Sequence, residues 1–73
     1  MTGGNVHQAN EVWARINETA EHNPDLGALR NSVDAIRDEL AELNAFEFVE
    51  GQWILSDRAW TDWLLSGADR KYL

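Results

Sequence analysis

Apolar residues recur early in the chain at Val6, Ala9, Trp13, Ile16 and Ala20, in steps of three and four. That spacing puts them on one stripe of a helix, widened by Val12, with Gln8, Glu11, Arg15, Glu18 and Glu21 on the other side. It predicts a helix over residues 5–22 with Asn5 as its N-cap. Asn23-Pro24-Asp25 supplies a second start: Asn caps free N–H groups, Pro fits the first turn, and Asp suits its positive end. Leu26, Leu29, Val33, Ile36, Leu40 and Leu43 then follow in the a/d rhythm of a coiled-coil seam. The seam keeps phase through Asn31-Ser32 and predicts one helix over residues 24–44. Gly27 and the Asn31-Ser32 pair are weak helix formers, so residue 31 is the alternative place for a break. A connection of about two residues sets the two helices antiparallel.

After Ala45 the period changes. Phe46 and Phe48, then Trp53 and Leu55, alternate with Glu47, Gln52 and Ile54 around Glu50-Gly51, the pattern of a short β-hairpin. Ser56-Asp57 opens a third helix with Ala59, Trp60, Trp63 and Leu64 on one face and Gly67 as its stop. The fold class is therefore mainly α with a small β-hairpin (α+β): an antiparallel helical hairpin, a β-hairpin and a C-terminal helix. Residues 1–4 read as a disordered leader, residues 5–67 as a single small domain, and residues 68–73 as a short tail.

Composition narrows the function. Seventy-three residues without cysteine make one domain with no disulfide or thiolate zinc site. Thirteen acids against six bases give a net charge of −7, which repels phosphate and anionic lipid. Nucleic acid is thus an unfavourable partner at ordinary salt. No apolar run spans a bilayer and the N-terminus lacks a secretory pattern, so the expected location is cytoplasmic, off the membrane. The acid-rich, lysine-poor balance also resembles proteins of salt-loving microbes.

Candidate chemistry is sparse. There is no phosphate-cradling glycine loop and no defensible nucleophile, base and orienting group, so no enzyme activity and no cofactor are expected. His7 with Glu11, and Glu18 with His22, stand four apart and offer two ligands each, fewer than a metal site needs. The plainer reading of His22 is a ring near a helix C-terminus beside an acid. Asp34, Asp38 and Glu42 recur every four residues, with Glu39 beside them, as an acidic ridge opposite the seam. Four tryptophans are a heavy load for a small core. Trp13 and Trp53 are expected inside by their phase. At least one of Trp60 and Trp63 is expected to pack on the hairpin, and a residual exposed one, Trp60 or Trp63 beside Leu65, is the candidate anchor.

Residues 36–65 contain a leucine-spaced helix, a hairpin and a helix opened by serine, carried by Leu40, Leu43, Phe46, Val49, Gly51, Trp53, Leu55 and Ser56. This segment resembles the C-terminal half of winged-helix regulators. With acids on the helix and Glu50-Gly51 at the wing tip, the resemblance implies a winged-helix-like module that contacts proteins. The resulting expectation is a non-enzymatic acidic protein–protein interaction module. In its sharper form it regulates or inhibits nucleic-acid machinery by acting on a basic surface, as small phage-encoded proteins do. The partner-binding residues would be Asp34, Asp38, Glu39, Glu42, Trp60, Trp63 and Leu65. The alternatives are a winged-helix DNA-binding transcription regulator working at high salt, as a homodimer, and a structural subunit of a virion or larger complex.

Overall fold

The computed structural model describes residues 3–73, with side chains from His7 onward. Met1 and Thr2 of the expected leader, and the side chains of Asn5 and Val6, lie outside the described residues. Helix α1 (Gly3–His22) begins two residues before the expected cap and takes up Gly3 and Gly4. Its buried line is Val12 and Ile16, both fully enclosed. Trp13 stands one helical step, about 100°, round from Val12 and is left 46% exposed, so it is a marginal residue and not core. The stripe is real, but its centre passes through the residue that seemed only to widen it.

The expected single helix over 24–44 is two. A 3-10 helix (Pro24–Ser32) is followed by helix α2 (Val33–Glu42). A 3-10 helix has three residues per turn, so Leu26 and Leu29, three apart, stack on one face and are both buried. Ile36 and Leu40, four apart, serve the wider turn of α2 in the same way. One continuous apolar seam thus runs over two helical periods. The switch falls where Asn31 and Ser32 favour helix weakly, with Ser32 leaving helical geometry (φ −124°, ψ 25°). Leu43, the last seam residue, lies beyond the end of α2 and is exposed.

Helix α2 stops in a Schellman motif. Asn44 takes positive φ (59°), its N–H reaches Ala41 O at 3.1 Å, and Ala45 N–H reaches Leu40 O at 2.9 Å. Ala45 and Leu40 are both buried, which closes the apolar side of the cap. Strands β1 (Phe46–Val49) and β2 (Gln52–Leu55) pair antiparallel, Phe46 with Leu55 and Phe48 with Trp53. Glu50 and Gly51 both have positive φ, as a two-residue type I′ turn requires. Helix α3 (Asp57–Leu65) starts as expected: Ser56 Oγ accepts Ala59 N–H at 3.3 Å. It ends at Gly67, whose φ of 80° suits glycine.

The C-terminal residues are part of the domain. A second 3-10 helix (Ala68–Tyr72) turns back so that the Tyr72 ring stacks on Trp63 at 6.2 Å, and Trp63 stacks on Trp60 at 5.3 Å. This ladder completes a core made of Val12, Ile16, Leu26, Leu29, Ile36, Leu40, Phe46 and Leu55.

Candidate functional site

Three features of the surface were candidates: the acids of α2, the aromatics of α3 and Leu65. Asp34, Asp38 and Glu42 do form an exposed row along α2. Within it, Arg37 pairs with Asp38 at 2.8 Å, while no ion pair reaches Asp34 or Glu42 among the described residues. Glu39 does not belong to that row. It is half-buried and accepts Trp63 Nε1–H at 2.7 Å, Tyr72 O–H at 2.8 Å and a contact from Lys71 Nζ at 2.6 Å. The position one residue after Asp38 rotates its side chain toward α3, so Glu39 fastens α2 to α3 and to the second 3-10 helix. Burial works against its charge, but the donors of Lys71, Trp63 and Tyr72 outweigh that and hold its pKa below the ordinary carboxylate value.

Trp60 and Trp63 are each only 3% exposed and are not docking anchors. Every indole N–H in this ladder has a partner, because Thr19 Oγ1 accepts that of Trp60 at 3.0 Å. Thr19 in turn donates to Arg15 O at 2.8 Å. With these partners supplied, the two rings bury without an unsatisfied donor. Leu65, by contrast, is 80% exposed on the outer side of α3.

Exposed large apolar residues are scattered at Trp13, Leu43, Leu65 and Leu73, and three more fall together on the hairpin. Phe48 is 61% exposed, Val49 and Ile54 are also exposed, and Trp53 is half-buried against Phe48 with ring centroids 5.0 Å apart. The base of the hairpin, Phe46 and Leu55, belongs to the core, and Trp53 packs partly against it. Strands of four residues carry the tip outward, with Glu47, Val49 and Ile54 on the face opposite Phe48 and Trp53 and Glu50 in the turn. The alternation predicts Trp53 inside with Leu55, but Phe48 and Trp53 pair two positions nearer the turn than Phe46 and Leu55, where the core gives only partial cover.

The two edges of the hairpin differ. On β2, Glu11 Oε1 accepts Leu55 N–H at 3.0 Å and Arg15 Nη2 donates to Leu55 O at 3.3 Å. Glu11 and Arg15 stand four apart on α1, so one helical face covers that strand edge. Arg15 also pairs with Asp57 at the start of α3. On β1, no hydrogen bond from outside the hairpin reaches Phe46 or Phe48 among the described residues. Glu11 is therefore occupied structurally. Among the described residues no group of three His, Cys, Asp or Glu stands close enough to hold a metal ion. No helix among them is long and apolar enough to cross a membrane. Compared with protein-family models, with curated proteins and with solved structures, the chain matches none.

Proposed function

We propose that this chain is a non-enzymatic, winged-helix-like interaction module of the cytoplasm that docks on a basic surface of a protein partner. In its sharper form it regulates or inhibits nucleic-acid machinery by occupying the site of an acidic ligand. The observation that supports this most directly is the hairpin tip, where exposed Phe48 and Val49 sit between Glu47 and Glu50. Exposed aromatic surface supplies the affinity of a small interface, and the surrounding acids steer a basic partner and reject phosphate. The row Asp34, Asp38 and Glu42 extends the same charge along α2. Leu65 is the remaining anchor on α3, in place of the buried Trp60 and Trp63.

The test is affinity capture from the native host with wild-type chain and with two variants, Phe48→Ser and the triple amide Asp34→Asn, Asp38→Asn, Glu42→Gln. Association with the captured partner is then timed across salt. Steering predicts an on-rate that falls at least tenfold from low to high salt for wild type and is flat for the triple amide. Phe48→Ser should raise the off-rate. Unchanged kinetics in both variants would remove the reading. Sequence-selective duplex binding that persists in molar salt would replace it with a DNA-binding regulator, and a stable high-order oligomer in sedimentation would replace it with an assembly subunit.

A further inference from the structure

An open cleft of about 570 Å³ lies between the last turns of α1, the first 3-10 helix and the C-terminal segment. Its apolar walls are Leu26 and Leu64, and Glu18, His22, Asn23 and Asp69 supply its polar groups. Asp69 is the unusual member. It is only 8% exposed, yet no hydrogen bond or ion pair from the described residues reaches its carboxylate. No side-chain oxygen or nitrogen in the described structure is both sealed from solvent and unpartnered. The Asp69 oxygens therefore keep some exposure to solvent, and Asp69 is among the residues that line the cleft. A largely enclosed carboxylate that no donor of the described residues reaches keeps its lone pairs open to water or to a donor from a partner.

We infer that this cleft receives the side chain of an arginine from a protein partner. The chemistry selects it step by step. Negative groups at two depths, Asp69 within and exposed Glu18, demand a cation. A bare metal ion is a poor fit, since these groups do not converge as ligands. A guanidinium has five N–H donors in a rigid plane and serves a carboxylate and an amide oxygen such as that of Asn23 together. Its alkyl stem lies along Leu26 and Leu64, as long basic side chains do on apolar surface. The exposed His22 ring offers a flat face for the guanidinium plane. The seventh lining residue, Thr19, has its hydroxyl committed to Arg15 and Trp60 and contributes shape only.

The inference rests on the docking reading for the source of the arginine, whereas the cleft stands on its own residues, Asp69 and Glu18. The probe is N-acetyl-arginine methylamide, titrated into the isotope-labelled chain and followed by amide NMR shifts. Neutral N-acetyl-citrulline methylamide and free agmatine are run beside it. Saturable shifts confined to residues 18–26 and 64–69 are expected, with citrulline at least tenfold weaker. Asp69→Asn and, independently, Glu18→Gln should each weaken the arginine probe several-fold, the second leaving the buried carboxylate and the fold intact. The triple amide of the α2 row should bind the probe as wild type does, so loss of partner steering and loss of this cleft are read separately. No saturable shift, equal shifts with citrulline, or shifts following Asp34, Asp38 and Glu42 would overturn the site. Agmatine binding more than tenfold tighter than the arginine derivative would overturn the assignment to a protein side chain.

Discussion

Two aromatic clusters of one small chain meet opposite fates. Trp60, Trp63 and Tyr72 form a stacked ladder in the interior, and Phe48 with Trp53 forms a pair on a projecting hairpin. Ring type does not separate them. The ladder has a cover, the second 3-10 helix, and a partner for each polar atom: Thr19 for one indole, Glu39 for the other and for the tyrosine. In the hairpin pair Trp53 packs partly on the core while Phe48 stays uncovered, and no hydrogen bond among the described residues reaches the Trp53 indole. Buried indoles need a place for their N–H as much as they need apolar neighbours.

The sharpest way to break the comparison is to remove one ring from each cluster. Trp63→Ala should cost about 3–5 kcal/mol, the range for deleting a large buried ring, and in a domain this small that approaches the whole stability. Urea unfolding followed by far-UV circular dichroism measures it. A loss under about 1 kcal/mol would mean that the enclosed ladder adds little to the stability of the core.

Glu39→Gln tests the polar side of the ladder. Removing the charge weakens three contacts at once, and the expected cost is about 1–2 kcal/mol, reduced by the partial exposure of the site. The pH dependence has a definite sign. Glu39 has a lowered pKa in the folded chain, so its contribution is present above the ordinary carboxylate range and is lost as pH falls through the lowered value. Its hydrogen bond to Glu39 raises the pKa of Lys71, and that contribution is present below the ordinary lysine value and lost above the raised one. Burial, then the bond to Glu39, raises the pKa of Tyr72, which adds to the loss on the alkaline side. Thermal melting from pH 3 to 11 should show wild type and Glu39→Gln converging at both ends and separating most near neutrality.

Local chemistry was legible where a residue acts on its immediate neighbours. Ser56 as a cap, Gly67 as a stop and Glu50-Gly51 as a turn all perform in the fold as their types suggest. The break in the second helical segment was not legible, because a step of three residues belongs equally to a heptad seam and to a 3-10 face. Nor was the burial of Trp60 and Trp63, which depends on Tyr72 folding back from what looked like a tail. Part of the candidate site was visible in the regular spacing of Asp34, Asp38 and Glu42. Glu39 reads as one more acid of that row until Trp63 and Tyr72 are seen to point at it. Asp69 gives no signal in sequence, since its segment packs against the first 3-10 helix, more than 35 residues away.

Phe48→Ser supplies the counterpart to Trp63→Ala. At 61% exposure the ring has little area left to lose, and the change removes chiefly its cross-strand contact with Trp53. About 0.5–1 kcal/mol is expected, several times less than for the interior ring. A loss as large as that of Trp63→Ala in the same urea assay would show the hairpin tip to be held by the core.

The smallest effect has the opposite sign. Glu50 occupies positive φ at 50°, a region that costs an ordinary side chain energy and that asparagine tolerates better. Glu50→Asn creates the Asn-Gly pair favoured in type I′ turns and should stabilise the hairpin by about 0.5 kcal/mol. The gain should appear as slower hydrogen exchange of the Val49 and Gln52 amides, which close the turn, with no change at Trp60 or Trp63. Equal protection gained in the ladder would show that the two clusters unfold as one cooperative unit, and that the hairpin differs from the core only in what covers it. Protection gained at the turn alone would make the tip a separately opening element, free to adjust its exposed rings to a docking partner without loosening the interior.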